Sequence, residues 1–232
     1  MAAAEMFEIV LEGKGGHAAM PHLTRDPIVA ASSLVMNLQS VVSRTISPLE
    51  SGVISVTKFL GGDAFNVIPQ MVIVGGTIRA LSTEMLLDQK AKLERMVDAT
   101  VQLHDLVDSS IKYMPDWYPA TSNDPELYDW STGVSDLVSV EGATRSVVPT
   151  MGGEDFAFLA QTIPSVFFFV GSGSGGDEAK HLPPTDFGLH HPSFALDEHV
   201  LPTGVQLHVN LALRSLNKLL YDNDGEAAAA EL

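Results

Sequence analysis

Residues 51–80, SGVISVTKFLGGDAFNVIPQMVIVGGTIRA, decide the fold. Each end of the stretch is dense in β-branched residues and reads as a strand, 51–60 and 71–80. Gly61-Gly62-Asp63 opens the loop between them. The flanking sequence supplies a helix on each side. Upstream, Asp26-Pro27 starts one: the carboxylate caps free N–H groups and proline fits the first helical position. Ile28, Ala31, Val35, Leu38 and Val42 then recur at helical spacing. Downstream, Ser82 and Thr83 are candidate caps, Glu84 suits the positive end of the helix dipole, and Leu86, Leu93, Val97 and Val101 form an apolar stripe. A further strand lies outside each helix, 7–12 (FEIVLE) and 108–113. The order to about residue 115 is therefore β-α-β-β-α-β, the ferredoxin-like order of four strands in one sheet with two helices on one face.

Beyond it the pattern changes. Residues 115–125 are rich in Pro, Asp and Asn and mark a domain boundary. Helix and strand then alternate: a helix over 125–138, a short strand at 146–149, a short helix over 155–161 after Gly152-Gly153, and a helix near 205–220. The apolar run Val166-Phe167-Phe168-Phe169-Val170 reads as a strand buried on both faces. The closing residues 226–232 lack an apolar stripe and are expected to fray. The whole is an α/β chain whose first part is an α+β layer.

Composition narrows the function classes. Of 232 residues, 45% are hydrophobic and 18% charged, which excludes disordered and collagen-like chains and suits one large or two modest domains. Lys plus Arg is 13 against 29 Asp plus Glu, a net charge of −16. With no basic stripe, neither nucleic acid nor an anionic membrane surface is an expected partner. The absence of cysteine removes disulfides, thiolate metal sites and thiol nucleophiles. No apolar run approaches the roughly 18–20 residues that cross a bilayer. The first residues, MAAAEM, have no basic or apolar signal region, so no signal peptide is expected. The strand pattern begins at Phe7 without a lead-in, so the expectation is a chain that starts in mid-fold.

Four clusters could carry chemistry. In Gly15-Gly16-His17-Ala18-Ala19-Met20-Pro21-His22 the glycines leave His17 on an exposed loop, although a histidine there can equally bond its own loop. In Phe65-Asn66-Val67-Ile68-Pro69 an Asn66 amide could donate to an oxyanion or satisfy turn backbone. Arg79, at the end of the following strand, has a fork suited to a carboxylate, and is equally placed for a surface ion pair. In Met151-Gly152-Gly153-Glu154-Asp155-Phe156 the two carboxylates could act as acid, base or metal ligand, or cap a helix. In Leu189-His190-His191-Pro192-Ser193-Phe194, followed by Asp197 and Glu198, adjacent imidazoles in an extended segment point to opposite sides, so one would face a site. His104, His181, His199 and His208 read as surface or core residues. Three or four zinc ligands cannot be assembled from these residues. The Gly171–Gly176 stretch (GSGSGG) lacks the Gly-Lys-Ser/Thr of a phosphate loop, as does Gly13-Lys14-Gly15-Gly16, and both read as flexible loops.

Taken together, GKGGHAAMPH (13–22), DPIVAAS (26–32), GGDAFNVIP (61–69), GTIRAL (76–81), MGGEDFAF (151–158) and LHHPSFALDEHVLPTG (189–204) resemble the metal-dependent amidohydrolase family of aminoacylases, peptidases and IAA-amino acid (auxin conjugate) hydrolases. The N-acyl-L-amino acid amidohydrolase and hippurate hydrolase branch is the nearest in look. The resemblance implies a catalytic α/β domain with an inserted ferredoxin-like lid that mediates homodimerisation. Residues 6–115 would be the lid, 116–222 the C-terminal part of the catalytic domain, and 223–232 a disordered tail.

It also implies roles. His190 matches a metal ligand of the family. His17 matches a lid histidine that reaches a substrate oxygen, often across the dimer. Asn66 matches a lid residue near the substrate, Arg79 one placed for a substrate carboxylate, and Glu154 one lining the cleft. The complete enzymes use two divalent ions, Mn or Zn, to cleave the amide bond of N-acyl amino acids. The family's Cys-Gly-His-Asp-x-His segment and Glu-Glu pair have no match here, so the expectation is a lid with a C-terminal catalytic portion, inactive by itself. The alternative is a non-catalytic dimerisation or regulatory module. The closing Ala-Ala-Glu-Leu keeps two positions of an endoplasmic-reticulum retention signal, which leaves cytoplasm and lumen both open.

Overall fold

The computed structural model describes residues 1–138, 144–171, 173 and 184–230, the last helix with side chains to residue 220. His181 and most of the Gly171–Gly176 stretch lie outside the described residues. In chain order the elements are β1 (Ala3–Glu12), β2 (Gly16–His17), α1 (Pro27–Thr45), β3 (Gly52–Leu60), β4 (Val67–Ile68), β5 (Met71–Ala80), α2 (Thr83–Leu103), β6 (Asp108–Tyr113), α3 (Pro125–Ser135), α4 (Phe156–Ala160) and α5 (Leu201–Ala230). They form two units, Met1–Ser122 with Val148–Ile163, and Asn123–Val147 with Pro164–Leu232.

The first unit is built on a four-stranded antiparallel sheet in the order β3-β5-β1-β6. That is the ferredoxin-like arrangement, with the first and third of the four sheet strands, β1 and β5, in the middle. Phe7, Ile9 and Leu11 of β1 stand opposite Gly76, Val74 and Val72 of β5. Alternation puts them on one face of the sheet. There they join Ala30, Ala31, Leu34, Leu38 and Val41 of α1 and Leu86, Leu93 and Val97 of α2 in a single buried core. Each such leucine contributes about 1.5–3 kcal/mol through its burial. The helices start where the sequence places caps. Asp26 Oδ1 accepts from the Ile28 N–H at 2.9 Å, and Ser82 Oγ accepts from the Met85 N–H at 3.1 Å.

β1 begins four residues earlier than the expected 7–12, because Ala3 to Met6 find partners in Thr77 to Ala80. β3 contains a bulge. Val56 pairs with Gly76 but Lys58 with Gly75, so one extra residue is accommodated between them. Lys58 is thereby set beside Glu8, with Nζ 2.6 Å from the carboxylate, and it holds that exposed carboxyl below the usual range.

Across the edge of the core, Lys90 Nζ lies 3.0 Å from the buried Glu5 carboxylate and 3.6 Å from the centre of the Tyr113 ring. The Tyr113 hydroxyl donates to Glu94 at 3.0 Å. Burial first, and then the bond to Glu94, push the phenol above its ordinary pKa of 10.0. A phenol that stays protonated when folded but ionises when unfolded stabilises below pH 10 and loses that contribution as pH rises through its folded pKa. Tyr113→Phe should therefore melt below the wild type at pH 7, and the gap should narrow on raising the pH from 9 to 11. Thermal melts across that range test it; a gap that stays constant contradicts this account.

The second unit departs from expectation. Residues 166–170 are not a strand, and Phe169 and Val170 are 56% and 44% exposed. An isolated extended segment has no ladder to satisfy its backbone. Here the Asn123 side chain stands in for a neighbouring strand, its Oδ1 accepting from the Phe167 N–H at 2.8 Å and its Nδ2 donating to the Phe167 carbonyl at 3.2 Å. Residues 146–149 likewise form no strand, and Val148 is 87% exposed. α3 is capped by Asp124, which accepts from the Leu127 N–H at 2.9 Å, and it ends three residues earlier than the expected 138. α5 outruns the expected 205–220 at both ends. The run of alanines at 227–230 has the highest helix propensity of any residue type. Leu201, Val205, Val209, Leu213 and Leu216 recur along α5 at helical spacing and are exposed.

Candidate functional site

Backbone pairing brings two of the candidate residues, His17 and Asn66, into neighbouring strands or their flanks. The glycine loop after β1 returns as β2 and pairs with β4, His17 opposite Val67 and Gly16 opposite Ile68. The Ala18 N–H donates to the Asn66 carbonyl at 3.0 Å. Sequence reading treats this region as loop, since two-residue strands carry no periodicity. The close approach needs glycine at Gly15, where a Cβ would lie 2.7 Å from the Ile68 carbonyl oxygen. His17 and Asn66 are both exposed. His17 Nδ1 accepts from the Ala19 N–H at 3.1 Å. With Nδ1 an acceptor, a neutral ring carries its proton on Nε2, which has no hydrogen bond among the described residues and is left to donate. The Asn66 side-chain amide has no hydrogen bond among the described residues.

Gln70, not among the sequence candidates, fastens this loop. Its carbonyl accepts from the Gly13 N–H at 2.8 Å. Its Nε2 donates to the Gly13 carbonyl at 2.9 Å, and its Oε1 accepts from the Gly15 N–H at 3.2 Å. No sequence signal marks the residue; only the pairing does.

Arg79 and Glu154 lie elsewhere in the same unit. Arg79 Nη1 donates to the Met151 carbonyl at 2.6 Å, which joins β5 to the Met-Gly-Gly-Glu-Asp-Phe segment. The Ala2 N–H, shared between the carbonyls of Thr150 and Gly152 at 3.1 and 2.9 Å, holds the same segment. Glu154 is half-buried, and its Oε1 accepts from the Asp155 N–H at 3.2 Å. Its carbonyl accepts from the Ala157 N–H in the first turn of α4. Asp155, at the N-cap, makes no side-chain cap bond.

Arg79 pairs with Ala4 near the start of β1, whereas Gln70 and the glycine loop adjoin its far end, Glu12. Eight residues of extended β5 separate Met71 from Arg79, about 27 Å at the antiparallel rise of about 3.4 Å per residue. Within one chain, then, the glycine loop that leads to His17 and the Arg79 position lie toward opposite ends of β5.

His190 belongs to the second unit. Its φ is 66°, in the left-handed region that non-glycine residues rarely take. The segment is a turn and not the extended stretch that the sequence suggests. Next to it, His191 stacks on Phe187 with ring centres 4.4 Å apart, and its Nδ1 accepts from the Ser193 N–H at 3.0 Å. His191 is thus engaged locally, whereas the exposed His190 ring has no partner among the described residues. Asp197 is occupied with His199, whose N–H and ring hold its carboxyl below the usual range. Among the described residues no group of three or more His, Cys, Asp or Glu is placed to hold a metal ion. The described residues therefore do not assemble a set of metal ligands, and His190 is an exposed imidazole without a partner among them.

The profile of Peptidase family M20/M25/M40 matches residues 12–214. The chain is 39% identical over 222 residues to the IAA-amino acid hydrolase ILR1-like 4 of Arabidopsis thaliana, covering 94% of this chain and 49% of that protein. It is 34% identical over 213 residues to the N-acetylcysteine deacetylase of Bacillus subtilis, covering 92% of this chain and 52% of that one. Among solved structures, the YXEP protein of Bacillus subtilis, a dinuclear metal-binding peptidase of the M20 family, superposes with a TM-score of 0.71 at 26% identity, over 94% of this chain and 51% of the other. The chain spans about half the length of the curated relatives it matches.

Proposed function

The chain belongs to peptidase family M20/M25/M40, and on that premise we propose that it forms the lid and the C-terminal catalytic portion of a metal-dependent hydrolase that cleaves the amide bond of N-acyl amino acids, IAA-amino acid conjugates among them. The observation that carries this reading is the reach of the match: residues 12–214 include His17, Asn66, Arg79, Glu154 and His190. Two relatives whose names describe an acyl group joined to an amino acid support the substrate class.

In this reading His17 Nε2–H and the Asn66 amide donate to the oxygen that becomes negative when the amide carbonyl is attacked. Arg79 has four N–H groups left beyond the one given to Met151, enough for a bidentate grip on the substrate carboxylate. Glu154 lines the cleft beside it. His190 is this chain's contribution to a centre of two divalent ions, Mn or Zn, whose remaining ligands lie outside the described residues. The placement of the two groups toward opposite ends of β5 favours a homodimer, in which His17 and Asn66 of one copy serve the cleft of the other. The apolar stripe of α5 is suited to further polypeptide packing on it.

The second reading, a non-catalytic dimerisation or regulatory module, is favoured by one observation, that no three-ligand cluster exists among the described residues. Hydrolysis of IAA-alanine and N-acetylcysteine by the assembled enzyme that contains this chain, followed with added Mn or Zn and again after chelation, separates the two. Turnover that chelation abolishes supports the hydrolase. Turnover indifferent to chelation refutes it, and a dimer that turns nothing over with either metal favours the module.

A further inference from the structure

We propose that Gln70 is a positioning residue for His17, acting through the glycine loop and not on the substrate. The proposal rests on the reading of His17 as an oxyanion donor. Three hydrogen bonds run from this one residue to the loop, two with Gly13 and one with Gly15. They fix both ends of the Gly13–Gly15 turn, two residues before the imidazole. Past that turn, the β2–β4 pairing and the Ala18–Asn66 bond set where His17 stands relative to Asn66. On its other side the loop is held by paired bonds between the backbones of Lys14 and Arg25, at 2.9 and 3.0 Å. Those bonds hold the middle of the loop, and among the described residues the Gly15 N–H donates to Gln70 alone. Glycines give a loop many backbone conformations to choose from, so a clamp is what keeps a donor on a Gly-rich loop in one place. The Gln70 hydrogen bonds among the described residues go to Gly13 and Gly15 and none goes to the His17 ring, so its effect on turnover is assigned to the loop.

The test is a double-mutant cycle with Gln70→Met, which keeps the side-chain length and deletes both side-chain bonds. In the catalytically competent enzyme containing this chain, Gln70→Met should lower kcat on an N-acyl amino acid on the order of 10–100-fold with KM little changed. In a His17→Ala background the same substitution should cost nothing further. Gln70→Glu, which retains the acceptor for Gly15, should fall between wild type and Gln70→Met. In the full chain, amide exchange at Gly15 and Ala18 should quicken in Gln70→Met while exchange in α1 and α2 stays as in the wild type. An equal loss of kcat in both His17 backgrounds, or unchanged exchange at Gly15, overturns the proposal. If His17→Ala lowers turnover and Gln70→Met does not, this inference alone fails. If His17→Ala leaves turnover intact, the reading of His17 fails and takes this one with it.

Discussion

His17→Ala should lower kcat for N-acyl amino acid hydrolysis by the assembled enzyme about 10²–10³-fold, the usual loss on removing one oxyanion donor. KM should change little, because a donor aimed at developing charge contributes mainly in the transition state. The ring is exposed and its Nδ1 is occupied by the Ala19 N–H, so what is lost is the outward Nε2–H. An exposed loop residue of this kind affects stability by about 0.5 kcal/mol or less, so an unchanged melting temperature should accompany the fall in rate. Steady-state kinetics with a thermal melt decide the matter. A variant with wild-type kcat removes His17 from the reaction, and one that fails to fold shows that the loop supports the lid.

Replacement of His190 should have the other large effect. Loss of an imidazole from the metal centre should weaken metal binding by more than the about 10–100-fold typical of losing a mere supporting partner. The backbone at 190 permits a sharper comparison, since its φ of 66° is strained for alanine and easy for glycine. His190→Gly and His190→Ala should lose metal equally, while the glycine variant is the more stable of the two by about 1 kcal/mol. Metal content after dialysis and melting temperature read the two effects separately. Metal retained by both variants would show that His190 lies outside the centre.

The four-stranded sheet and its two long helices were legible in the sequence because their signals agree with one another. Caps at Asp26 and Ser82, apolar spacing along two helices, and β-branched strands all specify the same β-α-β-β-α-β order. The small β2–β4 pair was not legible, since it is held by backbone bonds and by glycines that allow close approach, neither of which leaves a periodic trace. The misreading of 166–170 has a related cause. Five apolar residues say that a segment avoids water, but whether it becomes a strand depends on an adjacent strand, and at Phe167 the neighbour is the Asn123 amide. For the site, composition and spacing nominated residue types, and the motif resemblance selected among them. What neither could give was the separation of His17 and Asn66 from Arg79 along the sheet, which follows from strand register alone.

The irregularity between Val56 and Lys58 decides where this strand can lose a residue. Thr57 is the one in excess, so deleting it alone would restore regular pairing, with Lys58 still opposite Gly75 beside Glu8 and Phe59 still opposite Val74. The connection that carries Asn66 would then leave the sheet on its present side. A single deletion in the regular strand β1 would instead turn every later side chain to the other face. Deletion of Thr57 should therefore be tolerated where deletions within β1 are not, a contrast that a library of one-residue deletions across both strands would reveal through the yield of folded protein.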